Sequence, residues 1–148
     1  MTVHEVLKVA KVDVEAKLPT RKYEGDAGMD FYCLYDTIIQ PFGYKIVQTG
    51  ITVELPSNYH GILKPKGRNN HLVGAGVVEN SYQGEILFKL FNPTNEQRVF
   101  KKGTAIGQMI LISAYSPIPL EVKLEEIHEN KTIREGTGGI VEQRRVNV

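Results

Sequence analysis

The sequence has few of the features that mark secreted, membrane-bound or nucleic-acid-binding proteins. Its 148 residues include one cysteine, Cys33, which cannot form an internal disulfide, so we expect a reducing compartment, the cytoplasm by default. No apolar run approaches membrane-spanning length, and the N-terminus lacks the basic-then-apolar layout of a signal peptide. A formal net charge of +1 argues against general nucleic-acid binding.

The distribution of apolar residues predicts an all-β protein. They alternate, or form short runs that end at turn residues, which is the pattern of strands. One domain, residues 1–148, is expected at this length. Regularly spaced strands with tight turns favour an antiparallel barrel or sandwich of jelly-roll type. The predicted strands are residues 6–12, 45–55, 61–63, 85–91, 105–112 and 120–124.

The end of the chain differs from the rest. A short helix within residues 124–130 is the only helix that we predict. Residues 131–148 are rich in glycine and charge and predict a flexible C-terminal arm.

Glycine-bearing segments recur along the chain, and polar side chains accompany them. Glycine allows close approach of the backbone to a ligand. The carboxylates, bases, amides and tyrosine around these glycines are the groups needed to hold a polyphosphate, a metal and an attacking water. The segments are residues 26–30, 66–70, 76–85, 103–108 and 134–139.

These segments make the chain resemble the trimeric dUTPase family over nearly its whole length. Residues 27–31, Ala-Gly-Met-Asp-Phe, match the first family motif. Residues 76–84 match the third motif with glutamate in place of aspartate, and residues 103–108 resemble the fourth. The glycine pair at 138–139 resembles the fifth. Several such matches in order are far more specific than one.

The resemblance implies a fold, an assembly and a reaction. The fold is a distorted jelly roll, or β-clip barrel, that forms a homotrimer with active sites shared between subunits. The reaction is cleavage of dUTP to dUMP and pyrophosphate with Mg²⁺. Since water attacks a phosphoryl group, catalysis is mostly positioning and charge neutralisation. Mg²⁺ keeps several waters, so no direct protein ligand is expected.

The resemblance also implies roles for individual residues. Glu79 stands where the family has the aspartate that orients the attacking water and accepts its proton, and Asp30 lies near the water shell of the metal. Tyr82 packs under the deoxyribose, and Gln108 faces the phosphates. Gly76 belongs to the hairpin whose backbone reads uracil.

Each of these residues also has a simpler interpretation. The two carboxylates suit solvated or turn-forming positions, the tyrosine suits cross-strand packing, and the glutamine suits the outer face of a strand.

The second motif departs from the family pattern of Pro-Arg-Ser-Gly. Lys66 replaces arginine and Gly67 replaces serine. The lysine ammonium can attract phosphate as a point charge, but it cannot form the two parallel hydrogen bonds of an arginine guanidinium. Arg68, with the amides of Asn69 or Asn70, is predicted to supply the lost donors, and Gly67 to expose its backbone N–H. The alternative is a solvated basic turn.

The fifth motif departs further. The family has an arm with arginine, a glycine pair and a phenylalanine that stacks on uracil. Here Arg134, Gly138 and Gly139 are predicted to contact the nucleotide, and Ile140 stands at the phenylalanine position. Isoleucine covers a base by apolar contact but cannot stack through a ring.

The histidines and the cysteine carry no metal or nucleophile motif. His4, His60, His71 and His128 lack metal-ligand spacing, so a zinc site is not expected, and His71 is the only one predicted near the site. Cys33 is expected to be a small buried residue.

Two alternatives to a dUTP diphosphatase remain. dCTP deaminase shares the fold, but its Arg-Ser-Ser loop has no counterpart, and Lys89 stands where its catalytic glutamate is expected. A non-catalytic dUTPase-like protein that binds nucleotides or a partner is the other, favoured by the altered second and fifth motifs.

Overall fold

The part of the protein that the structure describes contains ten β-strands and one short 3-10 helix. The computed structural model describes residues 6–74 and 76–128, so the predicted arm at 131–148 lies outside the described residues. The strands are β1 (Lys8–Lys11), β2 (Gly28–Tyr32), β3 (Thr37–Ile39), β4 (Tyr44–Glu54), β5 (Tyr59–Lys64), β6 (Leu72–Val73), β7 (Gly76–Val78), β8 (Glu85–Phe91), β9 (Arg98–Phe100) and β10 (Ala105–Ser113), and the 3-10 helix is Leu124–Glu126.

The strands form two four-stranded antiparallel sheets and a two-stranded ribbon. Sheet one has the order β1-β4-β8-β6, sheet two has the order β2-β10-β5-β7, and β3 pairs with β9. Every paired neighbour is antiparallel. The all-β, jelly-roll architecture predicted from the sequence is confirmed.

The hydrophobic core is formed by side chains from both sheets. β8 buries Ile86, Phe88 and Leu90 and exposes the residues between them, as expected for a strand with one face on a core. The ring of Phe31 in β2 lies 5.7 Å from that of Phe88, which joins the two sheets. A Cβ at Gly107 would come within 2.5 Å of the Phe88 ring, so glycine is required where β10 bulges.

Most of the predicted strands are present. β8 has the predicted bounds, and β4 is shifted by one residue. β5 and β10 extend beyond the predicted ranges by one or two residues at an end. The strand predicted at 120–124 is wrong, because that stretch pairs with no strand in the described part of the chain and its side chains are exposed. The short helix predicted within 124–130 is present as a single 3-10 turn.

The chain divides into two units, Met1–Tyr115 and Ser116–Val148. The first unit contains all ten strands, and the 3-10 helix lies in the second. The assignment of residues 1–148 to a single domain stays a prediction. Within residues 6–74 and 76–128, no helix has the length and apolar character needed to cross a membrane.

Candidate active site

Sheet two aligns three polar side chains across three strands. Asp30 in β2 lies opposite Gln108 in β10, and Gln108 lies opposite Lys64 in β5. Neighbours in register point to the same side of a sheet. Because Met29 and Met109, one residue along, are buried in the core, the three polar residues lie on the outer face.

The first, second and fourth predicted segments meet at this point. Lys66 Nζ lies 2.5 Å from Asp30 Oδ2, and their side chains are 27% and 15% exposed. Gln108 Nε2 donates a hydrogen bond to the Pro65 carbonyl at 3.0 Å. A Cβ at Gly28 would overlap Gln108 Oε1, so this glycine leaves room for the amide. The structure thus brings together Asp30, Lys66 and Gln108.

The remaining second-segment residues form the loop from β5 to β6. The Asn69 N–H donates to the Lys66 carbonyl at 3.0 Å, which closes a turn with Gly67 and Arg68 exposed at its tip. Asn69 Nδ2 is buried and has no hydrogen-bond partner among the described residues. The loop therefore offers one guanidinium and one unused amide donor next to the Lys66–Asp30 pair.

His71 anchors the end of this loop. Its Nε2 lies 2.7 Å from the Ile106 carbonyl, and its ring packs edge-on against Phe100. Burial lowers the pKa of His71, and the Ile106 hydrogen bond opposes this only in part. A buried neutral imidazole of this kind supports the loop and does not face a ligand.

Glu79 lies at the other end of β5. Val78 pairs with Gly61, so Glu79 follows beside His60, and its Oε2 is 3.2 Å from His60 Nδ1. His60 and Lys64 are four residues apart in one strand, a separation of about 13 Å. Glu79 is therefore well separated from the Asp30, Lys66 and Gln108 cluster within one chain.

The hairpin tip that carries Glu79 is fixed by Asn80. Asn80 Nδ2 donates to the carbonyls of Pro56 at 2.8 Å and Tyr59 at 2.9 Å. The Tyr82 N–H donates to the Glu79 carbonyl at 2.9 Å. These bonds attach the tip to the turn between β4 and β5.

Tyr82 lies back across the same hairpin. Its hydroxyl donates to the Glu85 carbonyl at 2.6 Å, and a Cβ at Gly84 would approach that hydroxyl to 2.7 Å. Glycine at 84 therefore allows the ring to lie against the backbone. The side chain remains 42% exposed, so the ring is held by its hydroxyl and is still accessible from solvent.

A slot of about 200 Å³ separates the two arms of the hairpin. Its walls include Gly76, Val78, Tyr82, Glu85 and Leu87. Among the described residues, β7 pairs with β5 alone. The part of β8 that lines the slot, residues 85–87, pairs only with β4, because β6 joins β8 further along, at Leu90 and Phe91. The facing edges of the two arms therefore have backbone donors and acceptors available to a planar polar ligand.

A larger cavity, about 690 Å³, lies on another side of the hairpin tip, between it and strands β1 and β4. Its walls include Lys8, Thr52, Asn80 and Tyr82. The smaller slot is the better candidate for a base, since both of its walls are strand edges with free backbone groups.

The donor set decides which kind of metal binding is possible. In the described ranges, no three His, Cys, Asp or Glu side chains are arranged to hold a metal ion. Asp30 supplies a single carboxylate, which fits an Mg²⁺ held mostly by waters and phosphate oxygens and does not fit a cage of protein ligands.

Sequence reasoning missed two residues of the site. His60 and Asn80 contact or fix Glu79, and the expectation that only His71 would lie near the site was wrong for His60. Only the β5–β7 register, which the sequence does not display, places His60 there. Cys33 is buried as predicted, and burial raises the pKa of its thiol. Arg134, Gly138, Gly139 and Ile140 lie outside the described residues.

Solved structures of known proteins share this fold. A dUTPase from phage phi11 of S. aureus, a mutant whose solved structure is described as showing coordination of a structural Mg(II) ion, has a TM-score of 0.75. It is 18% identical, over 84% of this chain and 99% of that one, so this likeness shows the fold alone.

Sequence relatives are considerably closer. Deoxyuridine 5'-triphosphate nucleotidohydrolase of Clostridium kluyveri is 33% identical over 90% of this chain and 94% of its own length. The enzyme of the same name from Fowlpox virus is 35% identical over 84% of this chain and 89% of its own length. The family model described as dUTPase matches residues 14–141. The chain therefore belongs to the dUTPase family.

Proposed function

We propose that this protein hydrolyses dUTP to dUMP and pyrophosphate by attack of water on the α-phosphate. The observation that carries the proposal is the meeting of Asp30, Lys66 and Gln108, from three separate segments, on one face of sheet two. An ammonium from the loop after β5, with an amide and a carboxylate from two paired strands, suits a chelated polyphosphate. The sequence relatives named above carry the same activity in their names.

Lys66 and Gln108 act on the phosphates in this proposal. Arg68 and Asn69, at the tip of the same loop, supply further donors in place of the fork that the family arginine provides. Asp30 would hold Mg²⁺ through its water shell, and the bound ion would neutralise phosphate charge. Lys66 and Asp30 already form an ion pair, so the site is arranged before the nucleotide arrives.

Glu79 is the general base. Its carboxylate is 65% exposed at the hairpin tip, open to a water and to the α-phosphate. Tyr82 packs under the deoxyribose, and the slot beside it, with Gly76 in its wall, accepts the uracil through backbone groups. In the arm, Arg134, Gly138, Gly139 and Ile140 cover the nucleotide.

The assembly in this proposal is a homotrimer with shared sites. Groups that act on one phosphoryl centre must lie within a few ångströms of it. Glu79 and the Asp30 cluster lie at opposite ends of β5, about 13 Å apart along the strand. A second copy of the chain that brings its hairpin tip to the Asp30 cluster satisfies both requirements, and closed rotation gives a ring.

The test is release of pyrophosphate from each deoxynucleoside triphosphate in the presence of Mg²⁺. We expect turnover of dUTP alone, and we expect Glu79→Gln to lower kcat by about 10²- to 10⁴-fold with binding retained. Glu24→Gln, an exposed turn position outside the site, is the matched control and should leave kcat unchanged.

Other outcomes would contradict the proposal. Ammonia released from dCTP, with dUTP untouched, would identify a deaminase. No product from any nucleotide would indicate a binding protein.

A further inference from the structure

One nitrogen atom beside the proposed base has two competing partners. His60 Nδ1 lies 3.2 Å from Glu79 Oε2 and 3.3 Å from the backbone nitrogen of Asn80. The carboxylate requires a proton on Nδ1, whereas the Asn80 N–H requires a free lone pair there. Nδ1 cannot serve both partners, so the position of the imidazole proton decides which contact forms.

The carboxylate is the stronger competitor. A hydrogen bond to an ionised group is roughly twice as strong as one between neutral groups. Asn80 is exposed, so its N–H has water as an alternative partner, and the Asn80 side chain holds the tip without it. The proton therefore belongs on Nδ1, with Oε2 of Glu79 as its acceptor.

We propose that His60 is a positioning residue for Glu79. Its Nδ1–H holds Oε2, which fixes the carboxylate and leaves Oε1 to accept a proton from the attacking water. The inference rests on the proposed function of Glu79 as the general base.

Because the Glu79 side chain is long, its carboxylate needs a contact that fixes its position, and His60 supplies that contact. Glutamate has one methylene and one rotatable bond more than the aspartate usual in the family, and an error of about 1 Å can cost 100-fold in rate. Within the described residues, no other hydrogen bond or ion pair holds the Glu79 carboxylate. The His60 side chain is only 21% exposed and stands on a strand paired on both sides.

Among the described residues, β5, β7 and β10 place no other charged group close to His60. β10 places Ile112 opposite His60 and has no titratable residue along its length. β7 has none either. On β5 itself, Tyr59 points to the opposite face and Lys64 is about 13 Å away.

The decisive experiment is a double-mutant cycle on kcat. His60→Ala should lower kcat by about tenfold with little change in KM, since the contact sets geometry and not substrate affinity. In the Glu79→Asp background the shorter carboxylate cannot reach Nδ1, so His60→Ala should change kcat by less than about twofold. His60→Asn, whose amide nitrogen stands near the position of Nδ1, should restore most of the parent kcat.

Two kinetic results would overturn the inference. Equal losses in the Glu79 and Glu79→Asp backgrounds would show that His60 acts through general stability. Failure of His60→Asn to restore more activity than His60→Ala would show that a donor at this position is not what matters.

A measurement without substrate separates this inference from the proposed function. The ¹⁵N chemical shifts of the imidazole report which ring nitrogen carries the proton. We expect a protonated Nδ1 in the parent and transfer of the proton to Nε2 in Glu79→Ala, where Nδ1 is free to accept the Asn80 N–H. An unprotonated Nδ1 in the parent would refute the contact whatever the activity, whereas an inactive parent with a Glu79-dependent Nδ1 proton would refute the proposed function alone.

Discussion

Among single residues, His71 attaches the loop between β5 and β6 to the core. His71 is buried, with 2% of its surface exposed, and its Nε2 donates a hydrogen bond to the Ile106 carbonyl. Nδ1 is buried without a partner among the described residues. Protonation would place a charge and an unpaired N–H in the core, and this is why burial lowers the pKa of His71.

The lowered pKa of His71 predicts loss of stability in acid. A group that stays neutral in the folded state contributes its full stability above its unfolded pKa, near 6.5, and loses it as pH falls below that value. We expect the urea midpoint of the parent to fall between pH 7.5 and pH 5.5. The midpoint of His71→Gln, which retains a donor for Ile106 but does not titrate, should fall less. Equal falls in the two proteins would contradict this account.

Residues of the candidate site were predictable only where a motif contains them. Asp30 and Gln108 were found from their motifs, and the structure places them opposite each other on neighbouring strands. The Lys66–Asp30 ion pair was not predicted, because it depends on how the loop after β5 turns back over β2. His60 was missed for the same reason, since its contact with Glu79 follows from strand register.

Among elements, the hairpin between β7 and β8 controls the position of Glu79, the proposed base. β7 pairs with β5 in sheet two, whereas β8 pairs with β4 in sheet one. The divergence of the two arms opens the slot beside Tyr82. In the described residues, β7 and β8 form no hydrogen-bonded ladder with each other, so the two hydrogen bonds from Asn80 are what tie the tip to the turn between β4 and β5.

Removal of these bonds should loosen the tip and leave the sheets intact. We expect Asn80→Ala to lower the free energy of unfolding by about 1–2 kcal/mol, for two hydrogen bonds at the protein surface. Amide hydrogen exchange at residues 79–82 should become faster, and kcat should fall because Glu79 is less well placed. Asn95→Ala, at an exposed loop position outside the site, is the control. Unchanged exchange at 79–82 would show that Asn80 does not hold the tip.

Strand prediction succeeded where alternation is long and failed where strands are short. β4, β8 and β10 have seven to eleven residues and a periodic apolar face, so their patterns are distinct. β6, β7 and β9 have two or three residues each, too few for a period to show. The strand predicted at 120–124 failed because an alternating sequence forms a strand only when an edge is available for pairing.

For the whole molecule, the two ends of β5 separate the proposed chemistry into two half-sites. One contains Asp30, Lys66 and Gln108, and the other contains Glu79 and Tyr82. The family assignment, the proposed residue roles and the expectation of shared sites came from sequence motifs. Which residues fall into each half-site did not, since a linear sequence gives no distance between motifs. A site shared between subunits is the arrangement that makes the division useful.

Mixing two inactive variants tests this division directly. Asp30→Asn disables one half-site and Glu79→Gln the other, so each variant alone should be inactive. If every site joins half-sites from different chains, random mixed trimers should regain about a quarter of parent activity. In an equal mixture, one chain supplies an intact Asp30 in about half of the sites, and the other chain supplies an intact Glu79 in about half of those. The mixture should be denatured and refolded together, and its mass in solution should equal three chains.

A refolded mixture that stays inactive, while refolded parent recovers fully, would place both half-sites of each active site in one chain. Separate refolding before mixing is the matched control, and it should restore no activity unless subunits exchange.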